Sequence, residues 1–110
     1  MNDHDSISVV SLGGELEIGR KDEIREALAA ARDAESVLVD LSAVTYADSI
    51  ALTELLRFCV GAQQDERPVA LVIATPQFAR LVQYAGLSEA FTIFDNVPEA
   101  REYLGARTPR

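Results

Sequence analysis

The sequence predicts a single α/β domain with a mainly parallel sheet, an antiparallel hairpin at its N-terminal edge and helices between the strands. Short β-branched and aliphatic runs alternate with segments whose apolar residues recur at helical spacing. Two of these runs, residues 37–41 and 69–74, are too continuously apolar for half-exposed strands and are typical of strands buried on both faces. The length of 110 residues suits one domain over residues 1–110, with an ordered core of about 6–105.

The N-terminal part is expected to form the hairpin and the first helix. Residues 7–12 are rich in β-forming residues, Gly13-Gly14 is typical of a tight turn, and residues 15–18 form the returning strand. From residue 22 to about residue 34, apolar side chains recur at helical spacing, and acidic residues stand at the start, where the helix dipole favours them.

The rest of the chain repeats a strand–helix pattern. The strand at 37–41 leads into a helix over residues 49–63, and the strand at 69–74 leads into a third helix. Residues 91–94 form a last strand before a final helix. The predicted order is β-β-α-β-α-β-α-β-α, and strands separated by helices imply parallel pairing with right-handed crossovers.

Composition and charge narrow the class of function. The 18 acidic and 10 basic residues give a net charge of −8, which disfavours a nucleic-acid binder. Solubility explains this acidity, and attraction to a partner's basic face is the alternative. A single cysteine, an acidic N-terminus and no apolar run near the ~20 residues of a membrane span predict a cytoplasmic protein without direct membrane insertion. The ends, residues 1–5 and 105–110, are expected to be loose.

The turn between the 37–41 strand and the second helix is the candidate site. Binding sites in parallel sheets gather at the carboxyl ends of the strands. Ser49 lies at or next to the start of the helix, where unpaired N–H groups and the helix dipole favour a phosphate. Phosphorylation would add about −1.5 to −2 charges to a patch lined by Ile50, Ala51 and Leu52, which would form a binding switch.

Helix capping is a complete alternative explanation of this pair of residues. Serine and aspartate are both favoured at the N-cap, so Ser49 needs no phosphate to account for it. Asp48 could cap the helix itself or orient the incoming hydroxyl. After phosphorylation it would be a like charge beside the new dianion.

The residues around this turn resemble STAS domains of the anti-sigma factor antagonist family. The family pattern D-L-x-x-V-x-x-x-D-S-[ST]-G-L is similar to DLSAVTYADSIAL at residues 40–52. GELE at residues 14–17 resembles the family's E-L-D segment. AGL at 85–87 with FTIF at 91–94 resembles its x-G-L-x-x-x-F-x-I-F ending, so the resemblance covers about residues 7–104.

The resemblance implies a protein that binds its partner in only one state of phosphorylation. In this family an ATP-binding anti-sigma factor kinase with a histidine-kinase-like fold sequesters a sigma factor and phosphorylates the serine after the aspartate. The unphosphorylated antagonist binds the kinase and frees the sigma factor, and a serine phosphatase resets the phosphorylated form. By position, Ser49 is the phosphoacceptor. The partner-binding residues are Asp48, Ile50, Ala51, Leu52 and Glu17.

Three residues depart from the family pattern. Ile50 replaces a second hydroxyl residue and Ala51 replaces the usual glycine, but neither change removes the Ser49 hydroxyl. The Ala51 methyl group stands where a kinase would need close backbone approach. Arg20 stands where the family more often has a small or hydroxyl residue; it either pairs with a phosphate on Ser49 or is solvated, and solvation is the favoured interpretation.

Other functions were weighed on the same residues. Within the fold, the alternative is a STAS subunit that regulates a membrane transporter or lipid-transport complex. A phospho-aspartate receiver domain is excluded because Leu12-Gly13 and Asp95-Asn96 stand where it needs an acidic pair and a lysine. The sequence offers no catalytic frame, cofactor loop or metal-ligand cluster, so we expect neither an enzyme nor a cofactor.

Overall fold

The computed structural model describes residues 7–107, and the alternation of strands and helices follows the prediction. Predictions for residues 1–5 and 108–110 lie outside the described residues. The elements are β1 (Ile7–Leu16), a 3-10 helix (Ile18–Arg20), α1 (Lys21–Ala29), β2 (Ser36–Ala47), α2 (Ser49–Gln64), β3 (Val69–Val72), α3 (Pro76–Tyr84), β4 (Ile93–Phe94) and α4 (Val97–Arg107).

The four strands form one parallel sheet in the order β1-β2-β3-β4, which confirms the α/β class with interleaved helices. The larger core lies between the sheet and helices α1, α2 and α3, and a smaller one lies under α4. In β2, Val37 and Val39 belong to the larger core and Leu38 to the smaller one, and all three are fully buried. The strand is covered on both faces, as its continuous apolar run predicts.

The predicted N-terminal hairpin is wrong. Gly13-Gly14 lies inside β1, which continues to Leu16 and pairs with β2 in parallel throughout. The register shifts twice, between Ser11 and Gly13 and between Gly14 and Glu15. Gly14 has φ of 74°, in the left-handed region that suits glycine. It allows the irregular backbone of a bulge within the strand and does not form a turn that reverses the chain.

β2 continues six residues past the predicted end of its strand, to Ala47. At both register shifts β2 has one more residue than β1, so its second half carries the extra residues of two bulges. The buried positions there are Leu41, Val44 and Ala47, at a spacing of three. A period of three is neither strand-like nor helical, which is why sequence periodicity ended the strand at residue 41.

Arg20 holds the irregular end of β1 in place. Its Nη1 donates to the carbonyl oxygens of Gly13 at 2.6 Å and Glu15 at 2.9 Å. Its Nε and Nη2 donate to the two carboxylate oxygens of Glu23 at 2.9 and 2.7 Å, which lowers the pKa of Glu23. The expectation that Arg20 is merely solvated is therefore wrong, and its guanidinium is already occupied by these partners.

The C-terminal elements differ modestly from the prediction. The last strand is shorter than predicted, Ile93–Phe94, and α4 extends to Arg107 instead of loosening at residue 105. The Arg107 guanidinium lies 4.6 Å from the centre of the Tyr103 ring, a cation–π contact that supports the last helical turn. Among residues 7–107, no helix combines the length and hydrophobicity that crossing a membrane requires.

Replacing Gly14 by alanine is expected to lower the free energy of unfolding by about 1–2 kcal/mol, because a Cβ atom strains the left-handed backbone. Gly61→Ala is the matched control: Gly61 lies within α2, where an added Cβ meets no atom within 4 Å, and alanine should stabilise the helix by up to about 1 kcal/mol. Urea denaturation measures both. Equal shifts in the two variants would contradict a strained backbone at Gly14.

Candidate functional site

Asp48 caps the start of α2, and Ser49 is the first residue of that helix. The Asp48 backbone is extended, with φ of −105°, and its Oδ1 accepts the N–H groups of Ile50 at 3.0 Å and Ala51 at 3.1 Å. The capping explanation therefore applies to Asp48 alone. Ser49 is exposed, and no group in residues 7–107 hydrogen-bonds its hydroxyl. Capping leaves that hydroxyl without a structural role.

Asp48 also joins α2 to the end of β1. Its second carboxylate oxygen, Oδ2, accepts the Ile18 N–H at 3.2 Å, and its own N–H donates to the Leu16 carbonyl at 3.0 Å. Glu17 lies between these two anchors and its side chain is exposed. Four residues thus meet around the Asp48 carboxylate. We call them the Asp48 corner, and they are Glu17, Ile18, Ser49 and Ile50.

The first turn of α3 holds the corner from the other side. β3 pairs with β2 only from Val37 to Asp40, so it does not accompany the last residues of β2. Gln77 takes the place of a strand there: its Oε1 accepts the Ala47 N–H at 3.0 Å and its Nε2 donates to the Ala47 carbonyl at 2.9 Å. The Thr75 hydroxyl donates to the Val44 carbonyl. Nothing in the local sequence around Gln77 indicates this role.

The structure corrects two of the predicted partner-binding residues. Ala51 is fully buried and Leu52 is 3% exposed, and both belong to the larger core. Successive helical residues are about 100° apart, so only part of the first turn of α2 can face outward. Ile50 is half-buried and remains at the surface. The Ala51 methyl group faces the core and does not obstruct a partner, contrary to the concern raised by the family pattern.

The sequence analysis missed an exposed apolar side chain at this corner. Ile18 is 67% exposed, although its N–H group is tied to Asp48. Tyr46, near the end of β2, is also 43% exposed. Ile18 was predicted to lie in a returning strand, and its position directly after Glu17 in the antagonist-like segment is the signal that could have identified it.

An ion pair between a half-exposed arginine and a buried glutamate lies one helical turn beyond the corner and joins α1 to α2. Arg25 donates from Nε to Glu54 Oε1 at 3.1 Å and from Nη2 to Oε2 at 3.0 Å. The Glu54 side chain is only 4% exposed, and the hydrogen bonds from Arg25 lower its pKa. The carboxylate is therefore charged and fully engaged, which leaves it no role as an acid or base.

The other candidate side chains offer no reactive group. Burial raises the pKa of Cys59 to about 12, so its thiol is neutral near pH 7. Over residues 7–107, no three His, Cys, Asp or Glu side chains cluster closely enough to bind a metal ion.

Asp48→Ala is expected to lower the free energy of unfolding by about 1–2 kcal/mol, because two α2 N–H groups and that of Ile18 lose their acceptor. Asp48→Asn keeps one capping oxygen but presents an amide to Ile18, so it should lose less. Urea denaturation gives both values, and an alanine variant as stable as wild type would show that the carboxylate does not hold the corner.

Comparison with known proteins places this geometry in a family. The profile of the STAS domain matches residues 1–100. No curated protein is significantly similar to the chain in sequence. The crystal structure of an anti-sigma factor antagonist from Mycobacterium paratuberculosis is similar over 94% of this chain and 90% of that one, with 26% identity and a TM-score of 0.81.

Two more distant structures share the fold alone. A putative anti-sigma factor antagonist from Thermotoga maritima is 19% identical, with a TM-score of 0.83 over 92% of this chain and 89% of that one. A sulfate transporter family protein from Wolinella succinogenes is 15% identical, with a TM-score of 0.75 over 92% and 86%. The profile match extends over most of the sequence, and the four-stranded parallel sheet agrees with it: the chain belongs to the STAS domain family.

Proposed function

We propose that this STAS domain is an anti-sigma factor antagonist whose binding to an ATP-binding anti-sigma factor kinase is switched by phosphorylation of Ser49. The unphosphorylated form binds the kinase, phosphorylation releases it, and a serine phosphatase resets the cycle. The observation that carries the proposal is the exposed Ser49 hydroxyl, which has no partner in residues 7–107 while Asp48 caps the helix.

The phosphoryl transfer needs little from this chain. A bond forms between Ser49 Oγ and the γ-phosphorus of ATP, the bond to the ADP oxygen breaks, and the hydroxyl proton passes to a base on the kinase. This chain supplies the position of the nucleophile and is a substrate of the kinase. ATP is the phosphoryl donor, so the proposal places the protein in the cytoplasm.

The geometry favours a phosphate that stays presented to a partner. The N–H groups of Ile50 and Ala51 already donate to Asp48, and that of Leu52 donates to the Asp48 carbonyl at 3.2 Å. A phosphate on Ser49 therefore finds these three N–H groups occupied, and it stands beside a carboxylate of the same sign. Its charge of about −1.5 to −2 changes the surface more than the fold.

Apolar side chains beside Ser49 form the surface that a partner would contact, and the phosphate charge would disrupt that contact. Ile18 is exposed and Ile50 is half-buried, so a partner that covers the Asp48 corner buries both of them. A dianion trapped in such a contact would lose its hydration without gaining a compensating partner. The likeness to the mycobacterial protein, described as an anti-sigma factor antagonist, supports this class of partner.

Incubation with a small histidine-kinase-like ATPase from the same genome and ATP is expected to add one phosphate to the wild-type protein and none to Ser49→Ala. Thr53→Val is the matched control, because its hydroxyl is bonded to the Ser49 carbonyl at 2.9 Å and should not accept phosphate. Intact-mass measurement counts the phosphates. Equal phosphorylation of wild type and Ser49→Ala would place the acceptor elsewhere.

Ser49→Asp is expected to weaken kinase binding at least tenfold, about 1.4 kcal/mol, relative to Ser49→Ala. The added carboxylate puts a charge among the apolar side chains of the corner, while alanine removes the hydroxyl without adding charge. Isothermal titration calorimetry measures both dissociation constants. Equal binding by the two variants would mean that charge at this position is not the switch.

A further inference from the structure

The exposed surface of α2 carries no free acid, although the chain has 18 acidic residues and a net charge of −8. The only acid of α2 is Glu54, which is 4% exposed and paired with Arg25. Arg57 is the other charged residue of this helix, and it is exposed. The helix that begins with Ser49 therefore presents positive charge on an otherwise acidic protein.

A groove of about 400 Å³ runs between α1 and α2 next to this charge. Its floor is apolar and consists of Leu28, Ala29 and Phe58. Its rim carries Arg25, whose side chain is 49% exposed, and Arg57. An apolar floor beneath two guanidinium groups fits a segment that combines an apolar anchor with carboxylates.

The charges that face the groove leave a positive balance. Arg25, Arg57 and Glu54 line the groove, and Lys21, which does not line it, also acts on Glu54 and lowers its pKa. Asp22 is the further acid that acts on Arg25. Among the lining residues, two cations against one acid leave one net positive charge at the groove.

We infer that the α1–α2 groove receives an acidic segment of the anti-sigma factor, with an apolar side chain on its floor and carboxylates beside Arg25 and Arg57. This inference rests on the proposed function, and it names the chemistry of the partner surface. It also differs from the alternative drawn from net charge, that the acidity attracts a partner's basic face. The local charge of α2 opposes the charge of the whole molecule.

The distance between Ser49 and the groove limits how a phosphate on Ser49 acts on the bound segment. Ser49 and Arg57 are eight residues apart on α2, so they lie about 12 Å apart along the helix axis. This exceeds the Debye length of about 8 Å at physiological ionic strength, so a phosphate on Ser49 is largely screened from the groove there and much less so at low salt. At low ionic strength its negative charge repels the acidic segment, and this repulsion fades as salt is added.

The test compares charge reversals inside and outside the groove by the dissociation constant for the anti-sigma factor. Arg57→Glu should weaken binding about tenfold at low salt and less in about 0.3 M NaCl, with Arg57→Gln intermediate. Arg101→Glu, an exposed position on α4, is the control and should change binding less than about twofold.

A second pair of variants probes the α1 side of the groove. Ala29→Glu places a carboxylate on the groove floor and should weaken binding, whereas Ala30→Glu changes an adjacent exposed residue that does not line the groove and should not. Circular dichroism melting of each variant checks that the helices are retained.

The outcomes separate the two proposals. If wild type binds and Ser49→Asp weakens binding while Arg57→Glu and Ala29→Glu bind like wild type, the groove proposal is overturned and the switch stands. If wild type binds no anti-sigma factor, the proposed function fails and the groove proposal fails with it. The inference is supported if Arg57→Glu and Ala29→Glu bind more weakly than their controls, Arg101→Glu and Ala30→Glu, and if added salt reduces the effect of Arg57→Glu.

Discussion

The candidate site depends on the hydrogen bonds that the Asp48 carboxylate accepts. One of its oxygens caps α2, the other accepts the Ile18 N–H, and the backbone N–H of the same residue binds Leu16. These bonds bring the ends of two parallel strands and the start of a helix to one point. Because Asp48 meets the needs of the helix terminus, the next residue, Ser49, keeps a hydroxyl that the fold does not use.

This division of roles decides how a phosphate on Ser49 would act. Helix N-termini hold anions through free N–H groups, but here those of Ile50 and Ala51 already donate to Asp48. A phosphate would therefore add charge to the surface without gaining the helix donors. In the proposed switch, this charge prevents a partner from contacting the apolar side chains of the corner, and the fold does not need to change.

The distribution of charge matters more for recognition than its total. The acids are concentrated outside α2 and α3: α3 has none, and the one acid of α2 is buried against Arg25. A partner approaching the exposed face of α2 meets Arg57, although the molecule as a whole is acidic. The apolar corner is adjacent to Ser49, whereas the groove lies about 12 Å farther along the same helix and is largely screened from a charge on Ser49 at physiological salt.

The sequence by itself determined the strand–helix alternation, the strand buried on both faces and the helix that begins at Ser49, because local periodicity and capping fix those features. Only the tertiary structure decided that β1 continues through Gly14, that Arg20 donates to backbone carbonyls of β1 and that Gln77 hydrogen-bonds the last residue of β2. These depend on which segments become neighbours: Gln77 meets Ala47 across 30 residues, and the bulges of β2 exist only relative to β1. A pattern read along one segment contains no information about the backbone groups that another segment will leave unpaired.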